Sequence, residues 1–250
     1  MNSFIAWIGG KRLLRKEIVR RFPQEGFQRY IEVFGGAGWV LFEKVPGKEL
    51  EVFNDIDRNL INLYRCIKYH CGELQRELRY LLISREEFFS SKDQLAAGGL
   101  TDIQRAARYF YLVKASFGAD RKTFGTTRRN LRNAVDYFMA IQDRLQNVVI
   151  ENRDFEALIH VYDRDGALFY LDPPYHGTEG YYEGGFNEKD HERLLKTLSG
   201  IKGKFILSYN NDAYVRDLYK GFRIEDISRM SNLTSKGSVR NFEELIIRNY

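Results

Sequence analysis

Between residues 30 and 53 the chain alternates in a way that admits few folds. Tyr30–Phe34 is a short apolar run of strand character, and Gly35-Gly36-Ala37-Gly38 breaks it. A helix-forming stretch then runs through Lys44, and Leu50–Phe53 is a second apolar strand. Two short strands joined by a tight turn and a helix pair in parallel, because the crossover helix returns the chain to the same end of the sheet. Asp57 stands where a side-chain oxygen caps a helix running toward Tyr69. Further strands are expected at Val148–Ile150, Leu168–Leu171, Phe205–Ser208, Phe222–Ile227 and Leu245–Asn249, each after helical or loop sequence. From about Arg65 to Arg144 the strand signals fade and helical spacing takes over, at Leu74–Leu82, Ile103–Lys114 and Ala134–Leu145. Residues 12–22 also have helical spacing and stop at Pro23. The expected fold is α/β: a Rossmann-like sheet with helices on both faces, built from residues 1–64 and 147–250. A mainly helical insertion over 65–146 splits it.

Several function classes are excluded early. The 250 residues are 44% hydrophobic, enough for a packed core, yet no run approaches the ~20 apolar residues of a membrane span. Met1–Ile8 precede the first basic residues, Lys11 and Arg12, which is the wrong order for a signal peptide. Cys66 and Cys71 lack CxxC spacing and read as reduced thiols on or near a helix, so a cytoplasmic protein is expected. The four histidines, His70, His160, His176 and His191, have no HExxH spacing, and no metal is expected. The net charge of +5 is modest, but it is concentrated. Between Lys114 and Asn133, Lys114, Arg121, Lys122, Arg128, Arg129 and Arg132 face one acid, Asp120, which equals the excess of the whole chain. With Phe117, Phe124, Gly118 and Gly125 interleaved, residues 116–132 read as a loop or hairpin that meets phosphates and base edges. Arg121, Lys122, Phe124, Arg128, Arg129 and Arg132 are its candidate DNA contacts.

The strongest chemical signal is Leu171-Asp172-Pro173-Pro174-Tyr175, which holds two of the chain's four prolines. It follows an apolar strand directly, at the carboxyl end where open α/β sheets place ligands. An exocyclic amine is a poor nucleophile because its lone pair is delocalised into the ring. Hydrogen bonds from its two protons to the Asp172 side chain and the Pro173 carbonyl would draw it toward tetrahedral geometry and free the lone pair. Pro173 and Pro174 fix the carbonyl's direction and bring no competing N–H. Tyr175 offers a flat face for an extruded base. Asp172, Pro173, Pro174 and Tyr175 are thus the candidate catalytic residues. The glycine turn lacks the third glycine of a dinucleotide fingerprint, which favours a ligand without a pyrophosphate. Asp55, twenty residues after Gly35, stands where an acid binds ribose hydroxyls. Together these features indicate an adenosyl ligand.

These motifs resemble the Dam-type, D12-class adenine-N6 DNA methyltransferases, along essentially the whole chain. Trp7-Ile8-Gly9-Gly10-Lys11 is similar to the family's Trp-Ala-Gly-Gly-Lys, whose tryptophan and lysine line the cofactor pocket. Phe34 with Gly35, Gly36, Ala37 and Gly38 resembles its glycine-rich turn, and Asn54-Asp55 the acid that follows. Asp154-Phe155 resembles the pair flanking the cofactor's adenine. Phe186 with Asp190, His191 and Leu194 resembles the motif after the catalytic turn. The order of glycine turn, insertion, then Asp-Pro-Pro-Tyr is that of the family's α group, in which the insertion reads DNA. The resemblance implies a methyltransferase sheet with S-adenosylmethionine as cofactor. Its site would use Trp7, Gly9, Gly10, Lys11, the 34–38 turn, Asp55, Asp154, Phe155 and Asp172, with Lys11 toward the cofactor's carboxylate. It further implies a monomer at the nucleoid acting on a flipped adenine in double-stranded DNA, and allows for a cognate restriction endonuclease. GATC is the family's default target, although the 116–125 loop resembles phage-type members more than the enteric enzyme.

Competing chemistries lack their residues. Cytosine-C5 methylation needs a cysteine nucleophile, usually after proline, and a zinc deaminase needs its His-x-Glu and Pro-Cys-x-x-Cys. Cytosine-N4 methylation usually carries Ser in place of Asp172. A DNA-binding protein that kept the fold but lost turnover is opposed by the intact 172–175 and 7–11 segments.

Overall fold

A computed structural model of the chain describes residues 1–126, 131–179, 185–231 and 240–250. Seven strands form one sheet: β1 (Arg29–Glu32), β2 (Leu50–Asn54), β3 (Val148–Glu151), β4 (Ala167–Leu171), β5 (Lys204–Asn210), β6 (Arg223–Ser231) and β7 (Arg240–Arg248). Their order is β3-β2-β1-β4-β5-β7-β6. The first five strands pair in parallel, as the alternation predicts. The order reverses between β1 and β4, so the carboxyl ends of these strands open a crevice at the switch point. β7 departs from the expected pattern. It runs antiparallel to both neighbours and wedges between β5 and β6.

Local sequence explains the central elements. All five residues of β4 are buried, because helices cover both faces of a parallel strand. Asp57 caps α3 (Arg58–Tyr69) as expected, accepting from the amides of Asn59 and Leu60. Helices α4 (Cys71–Arg79), α5 (Arg85–Ala97), α6 (Asp102–Ala115), α7 (Leu131–Asp136) and α8 (Phe138–Leu145) fill the stretch between α3 and β3. Thr101 and Gln104 form a reciprocal capping box that starts α6. These helices share a core with one sheet face. Phe4, Tyr64, Phe110 and Phe138 meet ring to ring, tying the N-terminal segment, α3, α6 and α8 together. Each such buried ring contributes roughly 1.5–3 kcal/mol. A second core covers the other face, under α9 (Phe155–Tyr162), α10 (Glu188–Ser199) and α11 (Ala213–Leu218).

Three helical stretches differ from the sequence expectation, and the one expected over Ala134–Leu145 is two helices, α7 and α8, separated at Tyr137. The N-terminal helix α1 covers only Arg15–Arg20, because the Lys11 carbonyl takes the amides of Leu14 and Arg15 in a preceding turn. α5 has no counterpart in the expected pattern; Ser84 caps it, yet only Phe88 and Ser91 are buried, so its apolar spacing is faint. Cys66 and Cys71 are free and buried. Among the described residues no helix is long and apolar enough to cross a membrane, and no group of side chains has metal-binding composition.

Candidate active site

The glycine turn after β1 is built for close packing. Gly36 and Gly38 have φ of +50° and +66°, in the left-handed region that side chains disfavour. A Cβ on Gly35 would lie 2.3 Å from the Phe53 ring, and one on Gly36 would lie 2.8 Å from the Trp7 indole nitrogen. Trp7 and Phe53 therefore press directly on the turn. The Gly36 amide donates to Asp55 Oδ2 at 2.8 Å, and the Asp57 amide donates to Oδ1 at 2.9 Å. Burial pushes the Asp55 carboxyl up to about 6, although these two amides pull it the other way.

The end of β4 carries the Asp172–Tyr175 turn. Asp172 Oδ1 accepts from Lys11 Nζ at 2.7 Å and from Ser208 Oγ, on β5, at 3.0 Å. No described residue binds Oδ2. Burial raises the Asp172 carboxyl above its ordinary value; Lys11 opposes that rise, and Glu244 adds to it. Lys11 also lies 3.6 Å from Glu244 and donates to the Gly9 carbonyl at 3.0 Å. Its ammonium is thus turned to Asp172 and Glu244, in the wall of the cleft. The Tyr175 hydroxyl donates to Glu244 Oε2 at 2.7 Å, and its ring leans on Tyr209 at 5.9 Å. His191, fully buried on α10, lies between Tyr209 and Glu179, bracing the segment after the turn.

An aromatic corner closes the opposite end. Phe34, Phe155 and Phe186 meet one another at ring separations of 5.7, 5.9 and 6.0 Å. Arg193 lies 4.0 Å above the Phe155 ring and binds Asp154, Glu156 and Asp190. Burial works to raise the Asp154 carboxyl, but Arg193 more than reverses it and the group sits below its usual range. Asp154 also caps α9, and Asn187 with Asp190 forms the capping box of α10, so these acids hold helices as well as face the cleft.

A cavity of about 280 Å³ joins the two ends. Of the residues singled out in the sequence, Trp7, Gly10, Lys11, Phe34, Gly35, Gly36, Ala37, Asp55, Asp154, Phe155, Asp172 and Pro174 line it. Gly9, Gly38, Pro173 and Tyr175 do not. Gly9 receives Lys11, and Gly38 is confined by Tyr64 and Phe42 at the start of α2 (Trp39–Glu43). Three contributors escaped the sequence reading, Ser208, Tyr209 and Glu244, while Phe186 was noted there only as part of the motif after the turn. The one local hint for Glu244 is an acid adjoining the apolar run Leu245-Ile246-Ile247.

The basic loop is a hairpin bridged at Ser116 and Phe124, with Asp120 accepting the amides of Lys122 and Thr123. Phe117 is 69% exposed. Phe124 instead packs on Phe88, with Arg85 over its ring, and so belongs to the scaffold of the hairpin. Lys122 and Arg132 are exposed. Arg121 departs from the expected outward contact: it turns back to line the cavity and pairs with Asp57 at 3.0 Å. Arg128 and Arg129 lie outside the described residues.

The open α/β sheet thus sets a buried acid and an aromatic corner on one cleft beside the Asp-Pro-Pro-Tyr turn. The family model for the D12 class N6 adenine-specific DNA methyltransferase matches residues 7–233. The chain belongs to that family and is an adenine-specific DNA methyltransferase. It is 27% identical to the type II methyltransferase M.MjaIII of Methanocaldococcus jannaschii, over 100% of this chain and 99% of that one. The retron Ec67 DNA adenine methylase of Escherichia coli is 26% identical, over 98% and 90% of the two chains. The type II methyltransferase M.CviBI of Paramecium bursaria Chlorella virus NC1A is 23% identical over the full length of both.

Proposed function

We propose that the cleft binds S-adenosylmethionine and that Asp172 activates the N6 amine of an adenine flipped out of double-stranded DNA. The observation that carries this reading is the state of Asp172: Lys11 and Ser208 fix Oδ1, which leaves Oδ2 to accept from the amine. The lining suits the cofactor. Phe34, Phe155 and Phe186 offer flat apolar faces for adenine, and Asp55 at the end of β2 offers acceptors for ribose hydroxyls. When bound, the cofactor supplies a methyl group made electrophilic by its sulfonium.

The chain's own residues do the rest. The Asp172 carboxylate and the Pro173 carbonyl hold the amine's two protons and direct its lone pair into the cleft. Lys11 opposes the cost that burial places on the ionised form of Asp172. Tyr175, held by Glu244 and Tyr209, stacks on the extruded base. The proton that the amine must lose leaves along the Asp172 hydrogen bond. Residues 65–146 act as the target-recognition insertion, with Lys122, Arg128, Arg129 and Arg132 on phosphates or base edges and Phe117 as the exposed ring at the duplex. We place this activity in the cytoplasm, at the nucleoid, carried out by a monomer.

The test is transfer of labelled methyl groups to duplex DNA, followed by sequencing of the modified positions. Wild-type protein should label adenine N6 within a fixed short sequence, and Asp172→Asn should not. Label on cytosine N4, or label that persists in the variant, would overturn the assignment.

A further inference from the structure

Arg121 belongs by position to the target-recognition hairpin, yet its guanidinium lies in the wall of the cofactor cleft. It pairs with Asp57 Oδ2 at 3.0 Å and with the Tyr109 hydroxyl, and it lies 5.5 Å from the centroid of the Trp7 ring. Each of these partners is fixed by something else. Asp57 Oδ1 caps α3 through Asn59 and Leu60. Tyr109, 2% exposed on α6, donates to Asp57 Oδ2 at 2.7 Å. Trp7 rests against the glycine turn. The Asp57 amide, in turn, donates to Asp55, the acid that faces the ribose position. Arg121 therefore stands one residue away from Asp55 on one wall and against Trp7 on the other.

The hairpin backbone depends on such an anchor. Gly118, Ala119 and Arg121 have φ of +59°, +63° and +59°. Two of the three carry a Cβ, which disfavours that region. A turn of this kind persists where surrounding contacts over-determine it, and Arg121 supplies contacts to both the catalytic sheet and the insertion.

We propose that Arg121 is a positioning residue that latches the target-recognition hairpin to the cofactor cleft, so that cofactor occupancy and DNA binding strengthen each other. The proposal rests on the reading of the cleft as the S-adenosylmethionine site. A ligand against Trp7 and Asp55 excludes water from the Arg121–Asp57 pair and so strengthens it. The strengthened pair holds the hairpin in the conformation that presents Phe117 and Lys122. By linkage, DNA that selects this conformation tightens the cofactor site by the same factor. In this role Arg121 tunes affinity without being a phosphate contact.

The test measures coupling. S-Adenosylhomocysteine, which does not turn over, is titrated calorimetrically with and without a saturating duplex that the wild-type enzyme methylates. DNA affinity is measured with and without the same probe at fixed salt. In wild-type protein each ligand should tighten the other at least ~5-fold, within the usual range of coupled sites. Arg121→Gln should bring that ratio below twofold. Arg121→Lys should lose most of it, because an ammonium cannot bridge Asp57 and Tyr109 while lying over Trp7. Tyr109→Phe removes one hydroxyl and no bulk; it guards against misfolding of the arginine variants and should reduce the ratio part-way. A wild-type ratio near one, or an unchanged ratio in Arg121→Gln, overturns the latch. So does an affinity loss for DNA that is equal with and without the probe and lowers the salt slope by about 0.9, the signature of a phosphate contact. If Asp55→Ala leaves probe affinity untouched, the cofactor reading fails, and the latch with it.

Discussion

Lys11 reaches Asp172 across 2.7 Å while being 3% exposed itself, so a cation from the N-terminal segment is committed to the acid at the end of β4. Burial raises the Asp172 carboxyl and Lys11 resists that rise. Two consequences are separable. Asp172→Asn should lower kcat at least ~10²-fold, the scale of losing one preorganised catalytic hydrogen bond. Lys11→Met should leave some turnover and move the acidic limb of the kcat profile to higher pH, because the acid loses the charge that held its value down. A limb that stays in place or moves to lower pH would show that Lys11 does not set the protonation of Asp172.

Asp55 should make cofactor affinity pH-dependent. Its carboxyl is pushed up to about 6, chiefly by burial, and the ionised form is the better acceptor for ribose hydroxyls. Affinity should therefore be full near pH 8 and fall about tenfold by pH 5, following the loss of the ionised form. Calorimetry on Asp55→Asn should show a weaker binding constant that is flat over the same range.

Glu32 should make stability pH-dependent in the opposite sense to a surface carboxylate. Burial pushes its carboxyl up to about 8, despite a 2.6 Å hydrogen bond from the Tyr30 hydroxyl. Between an unfolded value near 4.3 and that folded value, the native chain holds a proton that the unfolded chain has released. Stability from this group is thus complete at low pH and is lost as pH rises through the window, with a slope of at most ~1.4 kcal/mol per unit. Glu32→Gln keeps an acceptor for Tyr30 and removes the titration. Its Tm relative to wild type should climb from pH 5 to pH 9; a constant difference would show Glu32 to be ionised throughout.

The two hairpin phenylalanines should separate binding from stability. Phe117 is exposed, so Phe117→Ala should change stability by less than ~0.5 kcal/mol while weakening duplex binding by ~1–3 kcal/mol if it stacks on a base. Phe124→Ala removes a ring packed on Phe88 and should cost about 2 kcal/mol of stability. Urea melts and filter-binding titrations of both variants read the two effects apart.

What was legible in the sequence is what short-range chemistry encodes. The glycine turn, the Asp57 cap, the parallel strands and the Asp172–Tyr175 turn depend on neighbours a few residues away. Asp55 was singled out by its spacing of twenty residues from Gly35 at the end of the next strand, and Phe155 only by the resemblance of Asp154-Phe155 to a family motif. Contacts made across the chain left no comparable trace. Ser208 and Glu244 meet the Asp172–Tyr175 turn only because β5 lies beside β4 and β7 beside β5, and β7's reversed insertion is set by sheet pairing rather than by its own pattern. Arg121 shows the opposite error: charge composition assigned it outward with its neighbours, whereas the left-handed turn at 118–121 sends it inward.

The placement of β7 has a bearing on biosynthesis. A ribosome delivers β1, β2, β4 and β5 first, together with Asp55, the aromatic corner and Asp172. Glu244 arrives only with β7, which must slot between two strands already made before it can seat Tyr175. A nascent chain can thus form the cleft while Tyr175 still lacks its anchor. Tyr175 is then seated only when β7 docks beside β5.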